Sequence, residues 1–521
     1  MRTQTRIPSR QLLGTLFVVF ACLAGAIAQN RGADVAKIVY SFDGAHGMPL
    51  SECHLETMRC RRQPEMDVAA NGKRVVQITR QDVVVFDESG KRLRSTPTDE
   101  FIRKAGLDPM PPAPKTPNPQ AGHGPFEPHV IFDEFIGRWI ISVTCHSDCL
   151  LVSASANPLG PWGGVYLSCA QGGPCLNYDP ALHVGFDKNG LYYCGAHVGD
   201  HNPNGVPGAA YDCLAIPADE VHAIAQGKLP EHLARQHNMP LNVQPAIDHN
   251  PRKGRSDPAL FMAKTCRHEK PNSCLVDSNY PFEWLVSTLT WEGSSGKFTD
   301  IGEEQKIKTD VGSKENKWLY NFPCCGPRSA MPQAGTDLPL RSGASSRLMD
   351  LVQHGSHLYG VISSGPCTHD CGAQGTDKNN VLFWVDLDCS NVEACVVEQT
   401  GKIAGDEILP LAPTIGVDND GNVGIVAASA SAKTYLSVLL WTHRNTDPPG
   451  TLRGPMTVAA GTQPYTCPPA DGVTLTGNAA GLLTALDPSD RTKLWVTEQW
   501  ANHAEQCVWD TRIIEYQIAA K

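Results

Sequence analysis

The amino-acid sequence predicts an all-β chain. Three observations carry that expectation: helix signals are scarce, short apolar runs end in turns built from Asp, Asn and Gly, and one strand–turn–strand unit recurs along the chain. The unit reads VVVFDESGKRL at Val83–Leu93, VIFDEFIGRWII at Val130–Ile141 and HVGFDKNGLYY at His183–Tyr193. Looser copies lie at Met349–Val361, Ile415–Val426 and Leu483–Thr497. Asp and Gly supply turn geometries that other residues resist, and the flanking β-branched and aromatic residues favour strands. Trp284–Trp291, Val381–Leu387 and Thr434–Thr442 are further strand candidates.

Recurrence of such a unit at roughly 50–70 residues marks the blades of a β-propeller, each a small antiparallel sheet packed against its neighbours. The spacing is uneven, so the expectation is a single propeller of about five to seven blades occupying residues 29–521. Val39–Phe42 and Thr511–Ile518 are both strand-like, and sharing one blade would close the ring and remove free sheet edges. A large β-sandwich, or two stacked β domains, accounts for the repeats less well. The best helix signal, Ala218–Leu233, is interrupted by Gly227 and Pro230 and reads as a short decoration between strands. The Pro-rich stretch 109–119 reads as a surface loop within the domain, because strand-like segments flank it on both sides.

Residues 1–28 have the form of a secretory signal: Arg2, Arg6 and Arg10, an apolar run from Leu12, then Ala26-Ile27-Ala28. Cleavage after Ala28 is preferred to a lipoprotein signal at Cys22, which Phe20 disfavours. No later stretch is apolar enough to span a bilayer. Loss of the leader takes the formal charge from −10 to −13. That balance argues against nucleic acid and anionic membranes as partners. The expected location is extracellular or periplasmic, the expected state a monomer.

Of 19 cysteines, 18 remain after the leader, and export makes disulfides their default reading. Near-neighbour spacing suggests Cys53 with Cys60, Cys145 with Cys149, Cys169 with Cys175, Cys194 with Cys213, Cys266 with Cys274, Cys367 with Cys371 and Cys389 with Cys395. Cys467 and Cys507 are left to pair across a longer loop. Cys324 and Cys325 either join each other or partner elsewhere, in which case some local pairs change. The clusters at 145–149 and 367–371 carry His and Asp as well, but disulfide-closed turns are preferred to zinc there.

Four regions resemble bacterial secreted propeller proteins related to the sialidase-like superfamily: Phe132–Trp139 with Leu150–Trp162; Asn177–Cys194; Pro413–Ser437 with Thr442–Thr451; and Leu486–Ile514. The resemblance implies a propeller fold and leaves the chemistry open, because members of the superfamily differ widely in activity. Two family motifs are missing. Where relatives carry Arg-Trp-Gly-Asp-Tyr this chain reads GVTLTGNAAG at Gly472–Gly481, and no complete S-x-D-x-G-x-T-W box occurs.

Ligand-binding residues of a propeller come from the starts of inner strands and the adjoining loops. Glu127, Asp179, Asp257 and Asp350 are the candidate catalytic acids, since paired carboxylates across a funnel suit glycoside cleavage. His129, His183, Arg347 and Glu498 are candidate substrate-binding residues, and Arg138 and Arg347 suit an anionic sugar group. The competing reading is that these side chains tie blades together or cap turns. His197 and His201 flank a loop rather than a metal site. Asp418-Asn419-Asp420-Gly421-Asn422 resembles part of a calcium loop, the one place for a structural calcium, although a plain turn is preferred. No other cofactor is expected. Two functions follow: a carbohydrate-active hydrolase or lyase acting on an extracellular glycan, or a non-catalytic module binding an extracellular glycan or protein. A metal-dependent oxidoreductase is a third, requiring the histidines to cluster.

Overall fold

A computed structural model describes residues 34–48, 64–109, 125–145, 148–167, 183–197, 210–239, 243–265, 283–298, 305–308, 330–341, 348–364, 381–403, 409–467, 474–475 and 483–520. The chain forms a seven-bladed β-propeller. Blade 1 is the four-stranded antiparallel sheet Met66–Ala70, Arg74–Thr79, Asp82–Asp87 and Arg92–Pro97, in that order from the axis outward. Blades 2 and 3 follow the same plan from innermost strands Phe126–Asp133 and His183–Phe186. The innermost strands of blades 4, 5 and 6 are Gln244–Pro245, Leu348–His354 and Leu409–Val417. Blade 7 begins with Ala485–Leu486, and its outermost strand is Ala36–His46 from the other end of the chain. That strand pairs antiparallel with Asp510–Ile518, Phe42 facing Ile513 and Ser41 facing Ile514, so the expected ring closure is present.

The apolar side chains sort into seven clusters, one for each blade–blade interface. Each strand turns alternate residues to the sheets on either side, so a blade has no core of its own and is held by its neighbours. Large aromatics fill the gaps: Trp139 between blades 1 and 2, Trp384 between blades 5 and 6, and Trp495 between blades 7 and 1.

The recurring unit of the sequence corresponds to the inner hairpins of blades 2, 3, 5, 6 and 7, and in blade 1 to the outer hairpin. In blades 2, 3, 6 and 7 its Asp has a common task. Asp133 Oδ1 accepts the amide of Phe135, Asp187 Oδ1 those of Asn189 and Gly190, Asp418 Oδ1 those of Asp420 and Asn422, and Asp487 Oδ1 that of Ser489. Each carboxylate thus closes the tight turn that reverses the innermost strand. Gly137 and Gly421 stand at φ +63° and +78°, a left-handed conformation that explains glycine there. Asp418–Asn422 is accordingly a hydrogen-bonded turn, with Asn422 Nδ2 donating to both oxygens of Asp418.

Trp284–Trp291, Val381–Leu387 and Thr434–Thr442 fall within the strands Glu283–Glu292, Val381–Asp388 and Thr434–His443. The expected helix shrinks to Val221–Ile224, between outer strands of blade 3. A helix not foreseen, Thr98–Lys104, follows blade 1, with Asp99 and Glu100 in its first turn and Arg103 and Lys104 in its last, as the helix dipole favours.

Disulfides join Cys145 to Cys149, Cys194 to Cys213, Cys389 to Cys395 and Cys467 to Cys507, four of the expected pairs. The other expected pairs, Cys53 with Cys60, Cys169 with Cys175, Cys266 with Cys274 and Cys367 with Cys371, lie outside the described residues. So do Cys324 and Cys325, the leader and residues 110–119.

Candidate functional site

The innermost strands begin on one face of the ring, here the entry face, and run to the opposite, turn face, where those of blades 2, 3, 6 and 7 end in the Asp turns. Near their beginnings each blade places one buried polar side chain at the axis. In ring order these are Asp67, His129, His183, Gln244, Asp350, Thr414 and Thr484. Strand alternation explains the pattern: a residue aimed into the axis has no apolar sheet to pack against, so a polar group that can bond to the next blade suits the position.

Two carboxylates organise this belt. Asp67 Oδ1 accepts the amides of Val68 (2.8 Å) and of Leu483 in blade 7 (3.1 Å), while Oδ2 accepts that of Val130 in blade 2 (3.1 Å). His129 Nδ1 lies 3.3 Å from the same Oδ2, and the ring of His183 stands 6.0 Å from that of His129. Asp350 Oδ2 accepts Thr414 Oγ1 (2.7 Å), Ile415 N (3.1 Å) and Thr484 N (3.2 Å), joining blades 5, 6 and 7. Thr414 and Thr484 share a 2.7 Å hydroxyl–hydroxyl bond, and Gln244 Nε2 donates to the carbonyl of Leu348. Burial raises the pKa of Asp67, against the lowering effect of His129. Burial also pushes Asp350 up to about 7, opposed by Thr414 and the amides and reinforced by the charge of Asp67. Asp350 Oδ1 and His129 Nε2 are buried without a hydrogen-bond partner.

The structure brings four of the proposed residues to or beside this belt: Glu127, His129, His183 and Asp350. Glu127 precedes His129 with φ +48°, a strained backbone, and its amide donates to Glu65 Oε2, whose partner oxygen pairs with Arg80. Glu498 is buried on the second strand of blade 7, its Oε1 accepting the amide of Gln499. Asp257 does not join the others: it is exposed, and its Oδ2 accepts the amide of Gly254 in a local turn. Arg138 is spent on the carbonyls of Ile136 and Gly137. Asp179, Arg347 and His201 lie outside the described residues. Sequence reasoning missed Asp67, Gln244, Thr414 and Thr484. Only Asp67 left a signal, an acid alone in the apolar run MDVAA.

The turn face of the axis is occupied by residues 246–258, which leave blade 4 between its first two strands. Ile247–Asp248 lies parallel to the innermost strand of blade 5. His249 then reaches Glu134 of blade 2 at 2.9 Å, and Arg491 of blade 7 donates to both Glu134 (2.9 Å) and the carbonyl of His249 (2.7 Å). Lys253, 3% exposed, pairs with Asp248 (3.0 Å) and Asp187 of blade 3 (3.2 Å). Burial raises the pKa of Asp187 against the pull of Lys253, and pushes Asp133 to about 7. This segment therefore plugs the axis with an ion-pair network, while its first residues, Ala246 and Ile247, pack into the neighbouring hydrophobic clusters.

Among the described residues no three His, Cys, Asp or Glu side chains are arranged to hold a metal, and no helix is long and apolar enough to cross a membrane. Together the ring, the axial belt and the plug define a seven-bladed propeller of the disulfide-braced kind. No family model and no curated protein matches the chain. Solved structures similar to it are propeller proteins of differing function. The extracellular domains 1-2 of Drosophila Semaphorin 1b share 10% identity over 93% of this chain and 87% of that one, TM-score 0.40. Kuenenia stuttgartiensis hydrazine synthase shares 10% over 83% and 92%, TM-score 0.41. The Fusarium graminearum α-L-arabinofuranosidase shares 9% over 78% and 96%, TM-score 0.39. The likeness is one of fold and reaches no further.

Proposed function

We propose that this protein is a monomeric, non-catalytic binding module that acts outside the cytoplasm and presents the entry face of a rigid ring to an extracellular glycan or protein. The observation that carries the reading is the use of the axial carboxylates. Asp67 and Asp350 are at 0% exposure and take their hydrogen bonds from the amides and hydroxyls of neighbouring blades. A general acid or nucleophile must reach its substrate, and these two carboxylates are closed off from solvent and turned to the neighbouring blades. The disulfides suit an oxidising compartment. Kinship with the sialidase-like propellers is proposed at the level of architecture, with the absence of their motifs agreeing with a non-catalytic role.

A second reading, hydrolysis of a glycan, is favoured by one specific observation: Asp350 keeps a partner-free oxygen and a pKa near 7, the combination expected of a general acid. The test is a panel of extracellular polysaccharides and proteins, screened for retention on immobilised protein and for release of reducing ends. Saturable retention without product, unchanged in Asp350→Asn, supports the binding module. Product formation that Asp350→Asn abolishes replaces it with the hydrolase.

A further inference from the structure

Blade 7 gathers two histidines and a carboxylate on the entry face, outside the axial belt. His46 ends the chain's first strand and stands directly opposite Asp510, the first residue of Asp510–Ile518. The register slips between Asp43 and His46, and the strand end is fastened by Gly47 N donating to the carbonyl of Trp509 (2.7 Å). The loop after Lys493–Trp500 then carries His503 over the same spot, where its Nδ1 lies 2.6 Å from Asp510 Oδ1. The two imidazole rings are 6.4 Å apart and inclined by 36°. Asp510 itself is 6% exposed, and its other oxygen accepts the amide of Asn502 at 3.2 Å.

This is the arrangement that prepares an imidazole for a metal. A carboxylate holding the Nδ1 proton fixes the tautomer and leaves Nε2 as a free lone pair; such carboxylate–histidine pairs are the usual outer partners of metal ligands. His503 is 45% exposed, so that lone pair is open to solvent. The spacing is also right. With metal–nitrogen bonds of about 2.0–2.1 Å, two imidazoles on one ion have ring centres about 5.3–6.5 Å apart between tetrahedral and linear angles. The observed 6.4 Å lies at the wide end of that range, the spacing of imidazoles on opposite sides of an ion in the tetragonal geometry that Cu2+ favours, and a tetrahedral Zn2+ would draw the exposed His46 about 1 Å closer.

We propose that His46 and His503 form a surface site for a divalent transition-metal ion of the Zn2+ or Cu2+ kind, with Asp510 orienting His503 from behind. Imidazole donors select such ions over Ca2+ and Mg2+, which take oxygen ligands. Two protein ligands leave the remaining positions to water, in keeping with the lack of a third ligating side chain among the described residues. Because His46 belongs to the chain's first strand and His503 to the loop that precedes its last, a bound ion bridges the two sides of the ring closure.

The inference is independent of the ring's ligand and is tested with the metal alone. Untagged protein is titrated with Zn2+ by calorimetry and with Cu2+ by electron paramagnetic resonance, in which nitrogen hyperfine structure reports imidazole ligation. Wild type should bind one equivalent more than His46→Ala or His503→Gln. Asp510→Asn should retain that equivalent with affinity weakened about 10–100-fold. Zn2+ should raise the melting temperature of wild type and not of the His46→Ala/His503→Gln pair. Equal stoichiometry and affinity in wild type and the double variant, both melting at the same temperature with and without Zn2+, overturns the proposal.

Discussion

Asp350 shows what a single axial residue does for the ring. Its Oδ2 is the shared acceptor of Thr414, Ile415 and Thr484, so one atom joins three blades. Asp350→Ala should cost about 2–4 kcal/mol in urea unfolding, because two backbone amides lose their acceptor inside the protein. Protonation adds a pH signature. The folded-state pKa of about 7 stands above the ordinary carboxylate value of 3.8, so the native state keeps a proton that the unfolded chain releases. The stabilisation from that proton is complete below about pH 4 and is lost as pH rises towards 7; Asp133, also near 7, acts with the same sign. Asp350→Asn keeps an oxygen for the three donors and removes the titration, so its urea midpoint should fall less between pH 5 and pH 7 than that of wild type. The candidacy of Asp350 was legible because it stands near the start of an inner strand in the recurring unit Met349–Val361, whereas Asp67 lies in MDVAA, ahead of the first copy of that unit. Gln244 and Thr414 were not legible. An uncharged polar residue in a strand has many acceptable homes, and only the ring decides that these two face the axis.

At the scale of elements, the segment 246–258 illustrates a feature that sequence patterns hide. It separates Gln244–Pro245 from the second strand of blade 4, Ala259–Thr265, and so breaks the strand–turn–strand unit that five other blades display in their inner hairpins. The disulfides were more legible, because cysteines close in sequence at the two ends of a hairpin or turn can meet without any knowledge of the ring. Two outcomes belong at this scale. Lys253→Met should destabilise the protein by about 3–5 kcal/mol, since Asp187 and Asp248 would be left buried without their cation. Replacing Cys467 and Cys507 by serine should cost about 4 kcal/mol, the loop-closure value for a sequence separation of 40. Chemical denaturation of each variant under non-reducing conditions measures both.

The whole molecule is a closed ring in which every hydrophobic cluster lies between blades, so no blade should persist alone. A chain lacking residues 34–48 removes the outer strand of blade 7, including Ala36 from the blade 6–7 cluster and Ala45 from the blade 7–1 cluster. Such a chain should lose the single cooperative transition expected of the intact ring, as monitored by calorimetry, and expose the edge of Asp510–Ile518 to intermolecular pairing. The closure was readable from strand-like sequence at both ends; the number of blades was not, because insertions such as 246–258 and the strands 330–341 distort the repeat. The pairing of first and last strands also sets a clock. Ala45 accepts the hydroxyl of Thr511, made 466 positions later, so at ribosomal speeds of about 5–20 residues per second the early strand waits roughly 20–90 s for its mate. Throughout that interval the strand lacks the neighbour it pairs with in the finished ring, which leaves its edge open to the wrong companion.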